Sequence, residues 1–184
     1  PAKTLGCFGD GGAIVTSNNK IYNKLYEMRD HGRNKQGNYI RWGLNSRLDN
    51  LQAAILLEKL SLLKDEIIRR RSIAKIYNEN LIDLKQITLP SKPNNNNINY
   101  DTYQNYEAKF LDRDQLQKFL FKKNIGTLIQ WGGQPIHQIK SLGIEATLPE
   151  TDKLFEKCLM LPMNTTLTDD QVYFVIKSIK DFYK

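Results

Sequence analysis

The chain has 184 residues, 40% of them hydrophobic and 26% charged. That balance excludes a collagen-like, mucin-like or wholly disordered polypeptide, and the length points to one or two small globular domains. Lys plus Arg number 27 against 20 Asp plus Glu, a net charge of +7 that permits a polyanionic partner without specifying one.

Gly9-Asp10-Gly11-Gly12 reads as a turn, because glycine reaches positive φ without steric cost. Ala13-Ile14-Val15-Thr16 follows as a short β-branched strand. Ser17, Asn18 or Asn19 can cap the next helix, whose Ile21, Leu25 and Met28 form one apolar stripe. Asp30-His31-Gly32 ends it, with the glycine placed for a C-terminal cap and His31 belonging to that helix end. Residues 33–46 are polar and glycine-punctuated, a loop that nonetheless carries Tyr39, Arg41 and Trp42.

From Leu48 to about Leu84 the apolar positions Leu48, Leu51, Ile55, Leu60, Leu63 and Ile67 recur at helical steps, uninterrupted by Gly or Pro. They predict an amphipathic helix roughly 50 Å long, bridging two structural units. Arg69-Arg70-Arg71 on it reads as a solvated face. Pro90–Asn99, with Asn94 to Asn97, is a surface loop and a boundary. Beyond it, Tyr103–Phe110 alternates like a strand. Asp112 with Gln115 makes a capping box for a helix ended by Gly126, and Thr127–Trp131 reads as another strand stopped by Gly132-Gly133. Short helices near Pro135–Leu142 and Pro149–Lys157 precede a last one opened by Thr168 and Gln171, with Val172, Val175, Ile176 and Ile179 inward. Strands interleaved with helices predict a small α/β or α+β unit.

Cys7 and Cys158 fit neither a disulfide framework nor metal-ligand spacing, and read as small core-filling thiols. His31 and His137 lie far apart, so no metal site is expected. No apolar stretch approaches the ~20 residues that cross a bilayer, so no membrane partner is expected. Residues 1–15 lack a basic stretch followed by an apolar block, so a cytoplasmic location is the expectation. The start at Pro1, without Met, fits a longer protein whose amino-terminal part is missing.

Four segments carry the chemical signal in combination. They are Pro1-Ala2-Lys3-Thr4-Leu5-Gly6 with Gly9-Asp10-Gly11-Gly12-Ala13-Ile14-Val15-Thr16; Arg29-Asp30-His31-Gly32; Gly43-Leu44-Asn45-Ser46-Arg47-Leu48 with Gln52-Ala53-Ala54; and Pro135-Ile136-His137 followed by Leu161-Pro162. In this order and spacing they resemble the DegT/DnrJ/EryC1/StrS family of sugar aminotransferases that depend on pyridoxal 5'-phosphate. The resemblance covers the whole chain and implies a fold-type I, aspartate aminotransferase-like α/β architecture, of which this chain looks like the C-terminal portion. It places the end of the cofactor-binding large domain at 1–47, the long connecting helix at 48–84 and a small C-terminal α/β domain at 85–184.

The resemblance implies transfer of an amino group, with glutamate as the expected donor, to a nucleotide-linked keto-sugar. Lys3 would be the lysine that condenses with the cofactor aldehyde and then serves as base. Asn45 would reach the cofactor phosphate from the neighbouring subunit of a homodimer, its amide NH₂ being a suitable donor. Arg47 suits the donor's carboxylate as a bidentate fork, or equally an ion pair at the start of the long helix. His137 would lie near the sugar, or else cap its own short helix. Trp131 stands where many members carry tyrosine, which opens the sugar's identity while an indole can still stack on a sugar face.

The family places its pyridinium-pairing carboxylate, ring-stacking aromatic and phosphate-binding Ser/Thr before the lysine. The polypeptide alone is therefore expected neither to hold pyridoxal phosphate well nor to turn over. A sibling activity, sugar dehydration or deoxygenation, replaces the lysine by histidine, and Lys3 argues against it. Two other classes stay open: a non-catalytic assembly domain, and a basic nucleic-acid-binding module. The second lacks any recognition helix or nucleic-acid motif, so nucleic acid is not an expected partner.

Overall fold

A computed structural model describes residues 1–94 and 99–184, so Asn95, Asn96 and Asn97 of the expected loop lie outside the described residues. The chain divides into two compact units, Pro1–Lys64 and Asp65–Lys184, with the division falling inside one long helix.

In the first unit, helix α1 spans Asn19–Met28. Asn18 caps it, its Oδ1 accepting from the N–H groups of Lys20 at 2.9 Å and Ile21 at 3.2 Å. At the other end His31 and Gly32 turn left-handed, with φ of 59° and 76°. Gly32 N–H donates to Glu27 O at 2.9 Å, so the glycine stop acts as its sequence implied. Residues 33–46 form the expected loop, doubling back onto the end of α1 through Ile40 N–H to Gly32 O at 3.0 Å and Leu44 N–H to Met28 O at 2.7 Å.

Two expectations fail nearby. Ala13–Thr16 forms no strand. Among the described residues it pairs with no other strand, and Ile14 and Val15 stand exposed. Nor does any glycine of Gly9–Gly12 take a positive φ. Space, not backbone freedom, is what Gly11 supplies: a Cβ there would fall 2.3 Å from Cys7 Sγ.

The long helix is α2, Asn50–Leu81. In the second unit its buried face is Ile73, Ala74, Tyr77 and Leu81, at helical spacing. Arg69-Arg70-Arg71 is not the solvated face that was expected. Arg69 Nη1 meets Asp169 Oδ1 at 2.7 Å, and its Nη2 donates to Leu167 O. Arg70 Nη1 spans the carbonyls of Tyr103, Gln104 and Met163 at 3.2–3.4 Å. Arg71 is buried, donates to Asp101 O at 2.6 Å, and lies over the Tyr100 ring at 3.9 Å. Helical period alone cannot separate charges facing water from guanidinium forks satisfying loop carbonyls.

Strands β1 (Ile87–Thr88), β2 (Tyr106–Phe110) and β3 (Cys158–Leu161) form an antiparallel sheet in the order β1-β2-β3. Ile87 pairs with Phe110, and Tyr106 pairs with Leu161. Tyr106, Ala108 and Phe110 alternate inward from β2, whereas all four residues of β3 are buried. The expected strand at Tyr103 starts only at Tyr106, because Tyr103 itself is left-handed at φ 51°. Its N–H donates to Asp101 Oδ1 at 2.7 Å, a local turn that competes with strand pairing.

Helix α3 (Arg113–Lys122) begins where expected, but without the Asp112–Gln115 box: Asp112 is left-handed at φ 52° and its side chain caps nothing. It ends ahead of Gly126, the chain reversing at Asn124, φ 59°. Thr127–Trp131 contributes one bridge, Leu128 to Met160, and then a 3₁₀ turn at Gln130–Gly133 instead of a strand. Pro135–Leu142 is likewise two 3₁₀ turns, Ile136–Gln138 and Lys140–Leu142. Helices α4 (Pro149–Lys157) and α5 (Asp169–Phe182) match their expectations, α5 with both halves of the Thr168–Gln171 capping box.

The core gathers Tyr77, Leu81, Tyr106, Phe110, Leu116, Leu120, Val172 and Ile179 from α2, β2, α3 and α5. Each such side chain contributes about 1.5–3 kcal/mol by leaving water. Tyr77 and Tyr106 lie 4.8 Å apart between ring centroids, and burial pushes both phenols far above the usual range. They stay neutral donors, Tyr77 to Pro162 O at 3.0 Å and Tyr106 to Asn78 Oδ1 at 3.1 Å. Cys7 and Cys158 are free and buried, as expected. Among the described residues no group of three acidic, His or Cys side chains could hold a metal, and no helix is long and apolar enough to cross a membrane.

Candidate active site

Lys3 sits in a bend just before the Thr4-Leu5 turn, with its side chain exposed. Among the described residues its amine makes no hydrogen bond or ion pair. The segment that carries it is anchored to α2. Lys59 Nζ donates to Gly6 O at 2.5 Å, and Phe8 N–H donates to Gln52 Oε1 at 2.9 Å. Cys7 Sγ donates to Gly9 O at 3.3 Å beneath them. A flexible amine is thus presented on a backbone fixed at several points. Sequence reasoning did not single out Lys59 or Gln52 as anchors, although Gln52 lies within a motif segment.

Asn45 and Arg47 are brought together at the end of α1. Asn45 pairs with Asp30 in an isolated antiparallel bridge, and Ser46 N–H donates to Arg29 O at 2.8 Å. Gly43 makes this approach possible: a Cβ there would lie 2.2 Å from Gly32 N and 2.7 Å from Met28 O. Arg47 Nε donates to Asn45 Oδ1 at 3.0 Å, while Arg47 Nη1 lies 3.6 Å from Asp30 Oδ1. Arg33 Nη2 contacts both oxygens of Asp30 at 2.8 Å. That hydrogen bonding, reinforced by the charges of Arg33, Arg47 and His31 and opposed by burial, holds the Asp30 carboxyl below the usual aspartate range. The ion-pair geometry weighed for Arg47 is present, and its guanidinium is still half exposed.

Trp131 and His137 belong to the second unit. Trp131 is exposed and left-handed at φ 52°, at the tip of its 3₁₀ turn. The His137 ring is buried, with Nε2 2.9 Å from Asp152 Oδ1 in the first turn of α4 and Nδ1 without a partner among the described residues. It does not cap its own turn; it ties that turn to the next helix. Gln138 Nε2 donates to the same Asp152 oxygen at 2.7 Å.

A family model described as the DegT/DnrJ/EryC1/StrS aminotransferase family matches residues 1–180. The chain belongs to this family. A curated relative from Pseudomonas aeruginosa, a UDP-2-acetamido-2-deoxy-3-oxo-D-glucuronate aminotransferase, is 32% identical over 97% of this chain and 49% of its own length. The crystal structure of Streptomyces venezuelae DesV in complex with a ketimine intermediate superposes with a TM-score of 0.92 at 30% identity, over 100% of this chain and 49% of that one. NtdA from Bacillus subtilis, solved with bound PMP, gives 0.84 at 25% identity, over 98% of this chain and 43% of that one. The architecture is therefore that of the family's fold-type I enzymes, and the chain spans about half the length of the curated relatives it matches. The family depends on pyridoxal phosphate.

Proposed function

We propose that the whole protein is a pyridoxal-phosphate-dependent aminotransferase that converts a nucleotide-linked keto-sugar to an amino sugar, with glutamate as donor. It would act as a cytoplasmic homodimer, with residues 1–47 on the cofactor side and residues 85–184 as the small domain. The observation that carries this reading is Lys3, an exposed amine without a partner among the described residues, on a segment anchored by Gln52 and Lys59. It stands in a chain matched to an aminotransferase family from residue 1 to residue 180.

The residues present fit the cofactor. Its aldehyde needs an amine, which Lys3 offers; its phosphate needs donors, and the Asn45 Nδ2 group has no acceptor among the described residues. When bound, pyridoxal phosphate supplies a carbonyl that can take up an amino group and a ring that withdraws electrons. Lys3 Nζ would hold the cofactor through its aldehyde carbon, with loss of water, and as a free amine would serve as the base that moves a proton. Asn45 Nδ2 would donate to the cofactor phosphate from the neighbouring subunit. Arg47 offers its half-exposed guanidinium to the donor carboxylate. Trp131 presents an exposed indole face to the sugar, and the His137 ring sets the turn beside it.

The test is amino-sugar formation by the whole protein from UDP- and dTDP-linked keto-sugars with glutamate, for wild type and Lys3→Ala. Wild type forms amino sugar and 2-oxoglutarate, and Lys3→Ala loses on the order of 10³-fold or more in rate while keeping its helical circular dichroism. An unchanged rate in Lys3→Ala contradicts the proposal.

A further inference from the structure

We propose that Asp30 is a positioning residue that fixes which face the Asn45 amide presents, acting through Arg47. The inference rests on the reading of Asn45 as the phosphate-holding amide. An asparagine side chain can turn over, exchanging its carbonyl oxygen for its NH₂ group, and only one orientation donates to an anion. Here Arg47 Nε donates to Asn45 Oδ1 at 3.0 Å. With its oxygen so engaged, the amide has its two Nδ2 hydrogens left to offer.

Arg47 is in turn held by Asp30, whose Oδ1 lies 3.6 Å from Nη1. The same carboxylate is fixed from its other side by Arg33, at 2.8 Å to both oxygens. The backbone closes the arrangement, since Asp30 and Asn45 face each other in the isolated bridge and His31 N–H donates to Leu44 O at 2.8 Å. One carboxylate thus organises two guanidinium groups and leaves the cluster with one net positive charge, which suits a phosphate dianion. Without Asp30 the Arg47 side chain, half exposed, is free to leave Asn45, and the amide can then turn its oxygen toward the phosphate.

The experiment measures dissociation constants of the whole protein for pyridoxal 5'-phosphate and for pyridoxal, which lacks the phosphate. The variants are Asn45→Ala, Asp30→Asn, Asp30→Glu and Arg47→Lys. Asp30→Asn is expected to weaken pyridoxal phosphate roughly tenfold and leave pyridoxal unchanged, with Asp30→Glu recovering most of the loss. Arg47→Lys keeps a cation beside Asp30 but lacks the Nε donor; it is expected to show the same selective loss, and it carries the test if Asp30→Asn fails to fold. Equal weakening of both ligands, or no change, in these variants overturns the inference when Asn45→Ala still loses phosphate preference. If Asn45→Ala itself leaves that preference intact, the underlying reading of Asn45 fails instead.

Discussion

In residues 1–64 the buried positions among the described residues are Gly6, Cys7 and Gly32, whereas residues 65–184 bury a continuous apolar cluster from Ile73 to Ile179. The first unit holds its shape by main-chain hydrogen bonds at the end of α1, by Gly43 against Gly32, and by ion pairs such as Arg41 Nε to Glu27 Oε2 at 2.7 Å. The second holds by excluding water from Tyr77, Tyr106, Leu120 and Val172. Burial is tolerant in detail and large in sum, while close backbone approach and charge-assisted bonds are exacting and individually modest. Substitutions in the second unit's apolar core are therefore read in stability alone, whereas substitutions around the end of α1 are read at the site as well.

Leu120→Ala should give the largest stability effect. The side chain is fully buried, and its loss should cost about 2–5 kcal/mol in urea unfolding while leaving the ratio of pyridoxal phosphate to pyridoxal affinity unchanged. A cost below ~1 kcal/mol would break the contrast, since the second unit would then not depend on its core.

Gly43→Ala sharpens the contrast from the other side. The added methyl meets Gly32 N at 2.2 Å and must lift the loop from the helix end. The expected cost is about 1–3 kcal/mol, smaller than for Leu120→Ala. Faster hydrogen exchange at the Leu44 and Ser46 amides and weaker pyridoxal phosphate binding should accompany it. Unchanged exchange at those amides would show that the approach of Gly43 to Gly32 does not shape the loop.

What the sequence made legible follows the same division. The unbroken helical run of α2, the Asn18 cap of α1 and the Thr168–Gln171 box of α5 are local signals, and local physics built them, although none of the six apolar positions from Leu48 to Ile67 is buried and the buried face of α2 begins only at Arg71 and Ile73. Strand β3 was hidden because Cys158-Leu159-Met160-Leu161 is apolar throughout and shows no alternation. Ala13–Thr16 and Thr127–Trp131 looked like strands because β-branched residues favour extended backbone, but a strand also needs a ladder partner, which a composition window cannot supply. Arg69-Arg70-Arg71 was misread because its carbonyl partners, from Asn94 to Leu167, are distant in sequence. At the site, Lys3 and Asn45 stand out in motif segments. The Asp30–Arg47–Asn45 relay does not, because it forms only when the loop of residues 33–46 returns to the end of α1.

The most direct measurement is chemical. Reduce the pyridoxal-phosphate-loaded whole protein with borohydride, digest it and map the modified peptide by mass spectrometry. The account predicts a stoichiometric pyridoxyl group on Lys3 Nζ, lost without relocation in Lys3→Ala. A full-occupancy adduct on any other lysine, or none on Lys3, contradicts it.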